Sequence, residues 1–292
     1  MSERLVDAAA DAREAATLAA LLDSARLRRQ TAYERSPATP RFLLESAQSM
    51  AAHMAMSEQR MQGCLEPMAL WQLYLPSALG TRTWDFDAVR EYLPLSYARI
   101  RAALAQEEAR PQLVTAVFHM AAFPLVCILV GAAWADIHDG PLHLLVADRN
   151  LGWLRTEGNR WIGRAVEVLG TSPAGLREML AGLKTGTIRR MLILADGPQG
   201  PGAAGTRALG GISPRLGIKT TLLNRIHDLG IPLLPITHDW EADRLRVTPC
   251  PLLDPDVIGP TEALDAIAGH IEGLLRRRPE QWLNWGAARI RT

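Results

Sequence analysis

Along the first thirty positions Leu18, Leu21, Leu22 and Ala25 fall at i, i+3, i+4 and i+7, which puts them on one face of a predicted helix. The run Ser36-Pro37-Ala38-Thr39-Pro40 ends it. A second helix is predicted from Phe42 to about Met61, with Leu43, Ala47, Met50, Met54 and Met61 along one stripe. That stripe reads as core packing or, because methionine is flexible and polarisable, as a groove for acyl chains or a partner. The pattern stays helical from Trp71 to Glu108 with breaks at Pro76 and Pro94, so residues 1–110 are expected to be α-rich.

Beyond Gln112 strands and helices alternate, the signature of an α/β fold with a mostly parallel central sheet flanked by helices. Strands are predicted at Leu113 to Phe118, Leu142 to Ala147, Met191 to Ala195, Ile231 to Ile236 and Arg244 to Pro249. The predicted helices are Met120 to Trp134, Ser172 to Lys184, Gly217 to Leu229, and Thr261 to Arg278 with Thr261 as N-cap. Residues 111–292 are expected to form the core, continuous with the α-rich region as one domain. From Pro111 to Ala135 there is no charged residue, a length that suits a membrane span. His119, Gln112 and Pro124 interrupt it, and a buried strand followed by a buried helix accounts for the same letters, so no transmembrane span is expected.

Charge adds little to this picture. Lys plus Arg (32) against Asp plus Glu (31) leaves +1, which gives no global field for nucleic acid. Only Lys184 and Lys219 are lysines. Cys64, Cys127 and Cys250 are scattered and odd in number, which argues against a disulfide framework or structural zinc. The opening MSERLVDAAADAREAA has acids where a signal peptide needs bases, so a cytoplasmic protein is expected.

In open α/β sheets ligands gather beyond the carboxyl ends of strands. The residues there are His119, Asp148 with Arg149, Asp196, and the pair His238-Asp239. His119 follows LVTAVF directly and precedes an apolar helix, a place for a general base. Asp196 opens the turn of MLILADGPQGPG, whose glycines let backbone N–H groups approach an anion. That run matches neither GxGxxG nor the P-loop and contains no lysine to reach phosphates. Asp136, His138, Asp139 and His143 have metal-binding chemistry but read as a solvated loop, and no metal or cofactor is expected. Arg276-Arg277-Arg278 complements a helix dipole and offers a dock for an acidic carrier protein. Ser213 lacks the GxSxG elbow.

The ordered set VTAVFH, ILADGPQGPG, LLNRIHDLGIPLLPIT and RRPEQWLNW, spanning roughly Asp87 to Trp285, resembles the lysophospholipid acyltransferase superfamily. The lipid A late acyltransferases are the nearest shape. The resemblance implies that His119 deprotonates a hydroxyl or amine acceptor attacking an acyl thioester, with Arg149, Gly197, Gln199 and Gly200 toward substrate. In the family an Asp or Glu five positions after the histidine orients it, and here that position is Pro124. Three compensations stay open: Asp148 or Asp196 approaches His119 from a neighbouring strand end, His119 works alone, or the acyltransferase chemistry is lost. Gln199 also stands where related sequences often carry arginine. The missing acid keeps two other readings open. One is a degenerate acyltransferase fold repurposed for elimination or cyclisation, such as aziridine formation on a carrier-bound substrate; the other is a non-catalytic partner subunit. A homo- or hetero-oligomer is expected, with a partner covering an apolar surface around Met50, Met54, Met56 and Met61.

Overall fold

The computed structural model describes residues 3–36, 38–79, 84–147, 166–199, 205–242 and 244–288. Helix α1 spans Glu3–Arg35 and α2 Arg41–His53. The stretch predicted as one helix to Met61 breaks here: Ala55 takes a φ of 50°, and Ser57 caps a new helix, α3 (Glu58–Ala69), accepting from the Arg60 N–H. A π-helical turn at Leu70–Tyr74 joins α3 to α4 (Leu75–Leu79), close behind Pro67, which has no N–H to donate. Pro76 lies within α4 instead of ending a helix. Helices α5 (Phe86–Tyr92, capped by Asp85) and α6 (Pro94–Gln106, Pro94 in its first turn) complete the α-rich region.

The main sheet contains β1 (Leu113–Val117), β2 (Leu142–Val146), β3 (Val166–Gly170), β4 (Arg190–Leu194), β8 (Leu233–Glu241) and β9 (Arg244–Pro249). Their order is β3-β2-β4-β1-β8-β9, parallel except for β9, which pairs antiparallel with β8. A small antiparallel sheet, β5 (Pro198–Gln199), β7 (Gly217–Lys219) and β6 (Thr206–Ala208), follows the Asp196 turn. The remaining helices are α7 (Phe123–Ile137), α8 (Pro173–Thr185), α9 (Thr221–Asp228) and α10 (Pro260–Arg277). Two boundaries differ from expectation. Gly217–Lys219 is strand, and the helix predicted from Gly217 begins at Thr221. The last helix is entered through Gly259 and Pro260, not capped by Thr261, because proline's fixed φ suits the first turn.

Alternation along the parallel strands divides the core. Leu113, Val117, Leu192, Leu234, Ile236 and Trp240 face α7 and the helices α1, α5 and α6. Val114, Ala116, Ile193 and Leu233 face Leu43, Met50, α10 and the indoles of Trp282 and Trp285. Helices of the α-rich region thus cover both faces. Residues Leu125 to Trp134 of α7 are buried all round, which explains the uncharged run. No described helix is long and apolar enough to cross a membrane. Met50 and Met61 are buried, and Met54 and Met56 are half-buried against the same cluster, so the methionine stripe packs onto the core.

Candidate catalytic site

Strands β1 and β4 are parallel neighbours in the register Val117↔Leu194, so both chains leave the sheet at one level. Two residues further on each stand His119 and Asp196, and this is why residues 77 apart in sequence meet. The His119 Nδ1 lies 2.7 Å from Asp196 Oδ1. Asp196 Oδ2 accepts the His119 backbone N–H at 2.8 Å and the indole N–H of Trp282 at 2.7 Å. The carboxylate is fully buried with three donors on it. Burial alone would raise its pKa, but the charge and hydrogen bonds of His119, with the Trp282 donor, outweigh this and hold it below the ordinary 3.8.

The carboxylate therefore fixes the ring tautomer. An ionised acceptor on the Nδ1 side keeps the proton there, leaving the Nε2 lone pair for a substrate proton. The imidazole is 27% exposed and its ring lies 5.3 Å from that of Phe123 at the start of α7. The C-terminal motif clamps the arrangement from behind. Leu283 N–H donates to the His119 carbonyl at 2.8 Å, Met120 and Trp282 form an antiparallel bridge, and the Asn284 amide donates to the Asp196 carbonyl at 3.1 Å. Pro124, at the position where the resemblance wants an acid, sits in the first turn of α7.

Of the other expected site residues, Asp148, Arg149 and Gly200 lie outside the described residues. Gly197 and Gln199 follow Asp196 directly: the Gly197 carbonyl accepts from Lys219 N–H at 2.8 Å, and Gln199 pairs with Gly217. Lys219, from β7, thus reaches the turn that has no lysine of its own. His238 and Asp239 are not beyond a strand but inside β8, on opposite faces. Counting three residues on from Ala116↔Pro235, His238 stands level with His119 on the α7 face. It is 1% exposed, and neither ring nitrogen has a hydrogen-bond partner of good geometry among the described residues, although the Met120 backbone lies close enough to favour its charged form. Burial drives its pKa down to about 4, so it is neutral at pH 7.

The remaining signals resolve into packing. Asp136 is held by Arg90 at 2.5 Å and by the Tyr97 hydroxyl, and His143 faces Glu167 at 3.0 Å across β2 and β3. Among the described residues no three His, Cys, Asp or Glu side chains converge on a metal position. Each arginine of the triple run has an acidic neighbour within the chain, Arg276 with Glu272, Arg277 with Asp239 and Arg278 with Glu241. Ser213 meets His53, a residue with no local sequence signal, at 3.2 Å. The other nitrogen of His53 lies 2.8 Å from the Ala288 carbonyl, and both side chains are buried, so the pair ties the chain end to α2. A small apolar cleft of about 20 Å³ between α9 and α10, lined by Leu223, Ile226, Leu264 and Ile267, lies at the amino end of β8, away from the dyad. Neither a protein-family model nor a curated protein matches the chain.

Proposed function

We propose that the chain is an acyltransferase-type enzyme that moves an acyl group from a thioester to a hydroxyl or amine, with His119 as general base and Asp196 as its orienting acid. The observation that carries this reading is the 2.7 Å contact between His119 Nδ1 and a fully buried Asp196 carboxylate, with no described residue hydrogen-bonded to Nε2. Nε2 takes the acceptor proton as the nucleophile adds to the thioester carbonyl. The tetrahedral intermediate then expels the thiolate, the C–S bond breaks, and the imidazolium returns the proton to sulfur. Asp196 stays ionised throughout and stabilises the imidazolium.

The order of β1, β4 and the Pro279-Glu280-Gln281-Trp282 clamp supports the reading alongside the motif resemblance. The non-catalytic reading drew on Pro124 in place of the family acid. Asp196 answers that objection by meeting His119 from the neighbouring strand end. The test is thioester turnover with intact-mass detection of the acylated acceptor. His119→Ala is expected to lower turnover about 100-fold or more, the usual worth of positioned proton transfer, with Asp196→Asn falling almost as far. Full activity of either folded variant would refute the assignment.

A further inference from the structure

Strand β8 outruns its parallel neighbour. Its pairing with β1 ends at Ala116↔Pro235 and β1 itself ends at Val117, while β8 continues to Glu241 with β9 as its partner strand. Within an antiparallel pair the N–H and C=O of one residue turn to the same side. Those of Trp240 turn away from β9, onto the line that β1 has left, where buried main-chain groups need partners. The side chain of Gln281 supplies both. Its Oε1 accepts the Trp240 N–H at 2.8 Å, and its Nε2 donates to the Trp240 carbonyl at 2.7 Å. One side-chain amide thus takes the place of a strand residue.

Both ends of this contact are fixed. Trp240 is buried, with its ring 5.6 Å from that of Trp71 in the π-helical turn. Gln281 is 1% exposed and closes a short turn in which its N–H donates to the Arg278 carbonyl at 3.1 Å. The residues that follow it are the ones that hold the dyad. Trp282 donates to Asp196 Oδ2 and bridges to Met120, and Leu283 donates to the His119 carbonyl. The Trp285 indole bond, to the Pro279 carbonyl, stays within the C-terminal motif, whereas the Gln281 pair ties that motif to the sheet. Gln281 is too buried to meet a substrate, and its side-chain bonds go to Trp240 and not to the dyad, so any effect on the reaction passes through Trp282 and Leu283.

We propose that Gln281 is a positioning residue for the His119–Asp196 dyad: by pairing with the Trp240 main chain it sets where Trp282 and Leu283 meet Asp196 and His119. This rests on the acyl-transfer reading and adds to its site a residue that acts only through its neighbours.

The dyad is read in two ways on the full chain. Long-range proton–nitrogen correlation of the imidazole rings reports which nitrogen of His119 carries the proton, its signals being identified by their loss in His119→Ala. Thioester turnover gives kcat and KM. Gln281→Leu keeps the length of the side chain and removes both bonds. It is expected to turn the Nδ1–H form of His119 into a mixture of tautomers and to lower kcat about tenfold with KM little changed, because a small misplacement of the reacting groups costs rate even when its cause lies away from them. Gln281→Asn, with the amide on a shorter stem, is expected to lose less, and it carries the test if Gln281→Leu does not fold. Since the effect passes through Trp282, the Gln281→Leu/Trp282→Phe double variant should fall no further than the more damaged single variant. Glu14→Ala is the control: it removes a buried contact between α1 and α6, so it should lower the urea midpoint and leave kcat and the His119 signals unchanged. Ring signals or kcat equal to wild type in a folded Gln281 variant would overturn the proposal. So would losses that multiply in the double variant, or a control that changes the same signals as much. If wild type turns over no thioester, the acyl-transfer reading falls, while the ring signals still decide whether Gln281 positions the dyad.

Discussion

Trp282 donates its indole N–H to Asp196 Oδ2 at 2.7 Å, so the last residue of the Pro-Glu-Gln-Trp motif holds the carboxylate that orients His119. The ring also packs edge-on against Trp285 at 4.7 Å between centroids and is fully buried. Trp282→Phe keeps most of that apolar contact and deletes the donor. Thioester turnover is expected to fall about tenfold, with about 1–3 kcal/mol lost in urea unfolding for the less satisfied buried carboxylate. Unchanged turnover with a changed urea midpoint would make the indole a packing residue alone.

His238 and Asp196 make the fold acid-sensitive in two different pH windows. The imidazole of His238 protonates at about 4 in the fold against 6.5 as an ordinary histidine, so between these pH values the unfolded chain binds the extra proton. Its contribution is fully present above 6.5 and is lost as pH falls toward 4, about 3 kcal/mol in all. Asp196 has a folded pKa below 3.8, so its contribution survives that window and is lost only in stronger acid. Urea unfolding from pH 7 to 4 is expected to show a decline that His238→Phe flattens and Asp196→Asn leaves in place. A parallel decline in His238→Phe would remove His238 as its source.

Glu14 reaches from α1 to the start of α6, where its carboxylate accepts from the Leu95 and Ser96 N–H groups at 2.8 and 3.0 Å and from the Ser96 hydroxyl. It is a helix cap supplied from 81 residues away, placed at the positive end of the helix dipole. Glu14→Ala leaves two backbone donors and a hydroxyl short of partners in a buried place. A loss of about 2 kcal/mol in urea unfolding is expected, with Glu14→Gln losing less because the amide oxygen still accepts. Equal stability of wild type and Glu14→Ala would show that water satisfies these donors.

What was legible in the sequence was whatever a single element decides by itself. β1 and β4 are buried on both faces and read as apolar runs, and α7 is apolar all round for the same reason. β3 was not legible: it lies at the sheet edge, and its Val166, Glu167 and Val168 are only partly covered or exposed. The pairing of His119 with Asp196 was foreseeable only as one of two options, since strand ends list the candidates but strand order selects between them. Lys219 escaped notice because apolar periodicity from Leu222 onward drew the helix back over Gly217–Lys219, residues that pair as strand. Trp282 was visible as a motif letter, and its indole bond to Asp196 depends on a chain end folding back 86 residues.

Pro124→Glu asks whether the orienting acid can come from the helix instead of the sheet. Position 124 lies in the first turn of α7, where a carboxylate suits the helix dipole. The Nδ1 side of His119 is already taken by Asp196, and that carboxylate is fixed by the His119 backbone N–H and by Trp282 as well. A new carboxylate therefore finds no second proton to accept, and Pro124→Glu alone is expected to leave turnover within about threefold of wild type. In the Asp196→Asn background it should restore only a small part of the lost rate, because the amide that replaces the buried carboxylate would still occupy the Nδ1 side and direct the tautomer. Restoration close to wild-type turnover in the double variant would show that any nearby carboxylate serves His119, and that the buried position of Asp196 is not what makes the imidazole a base.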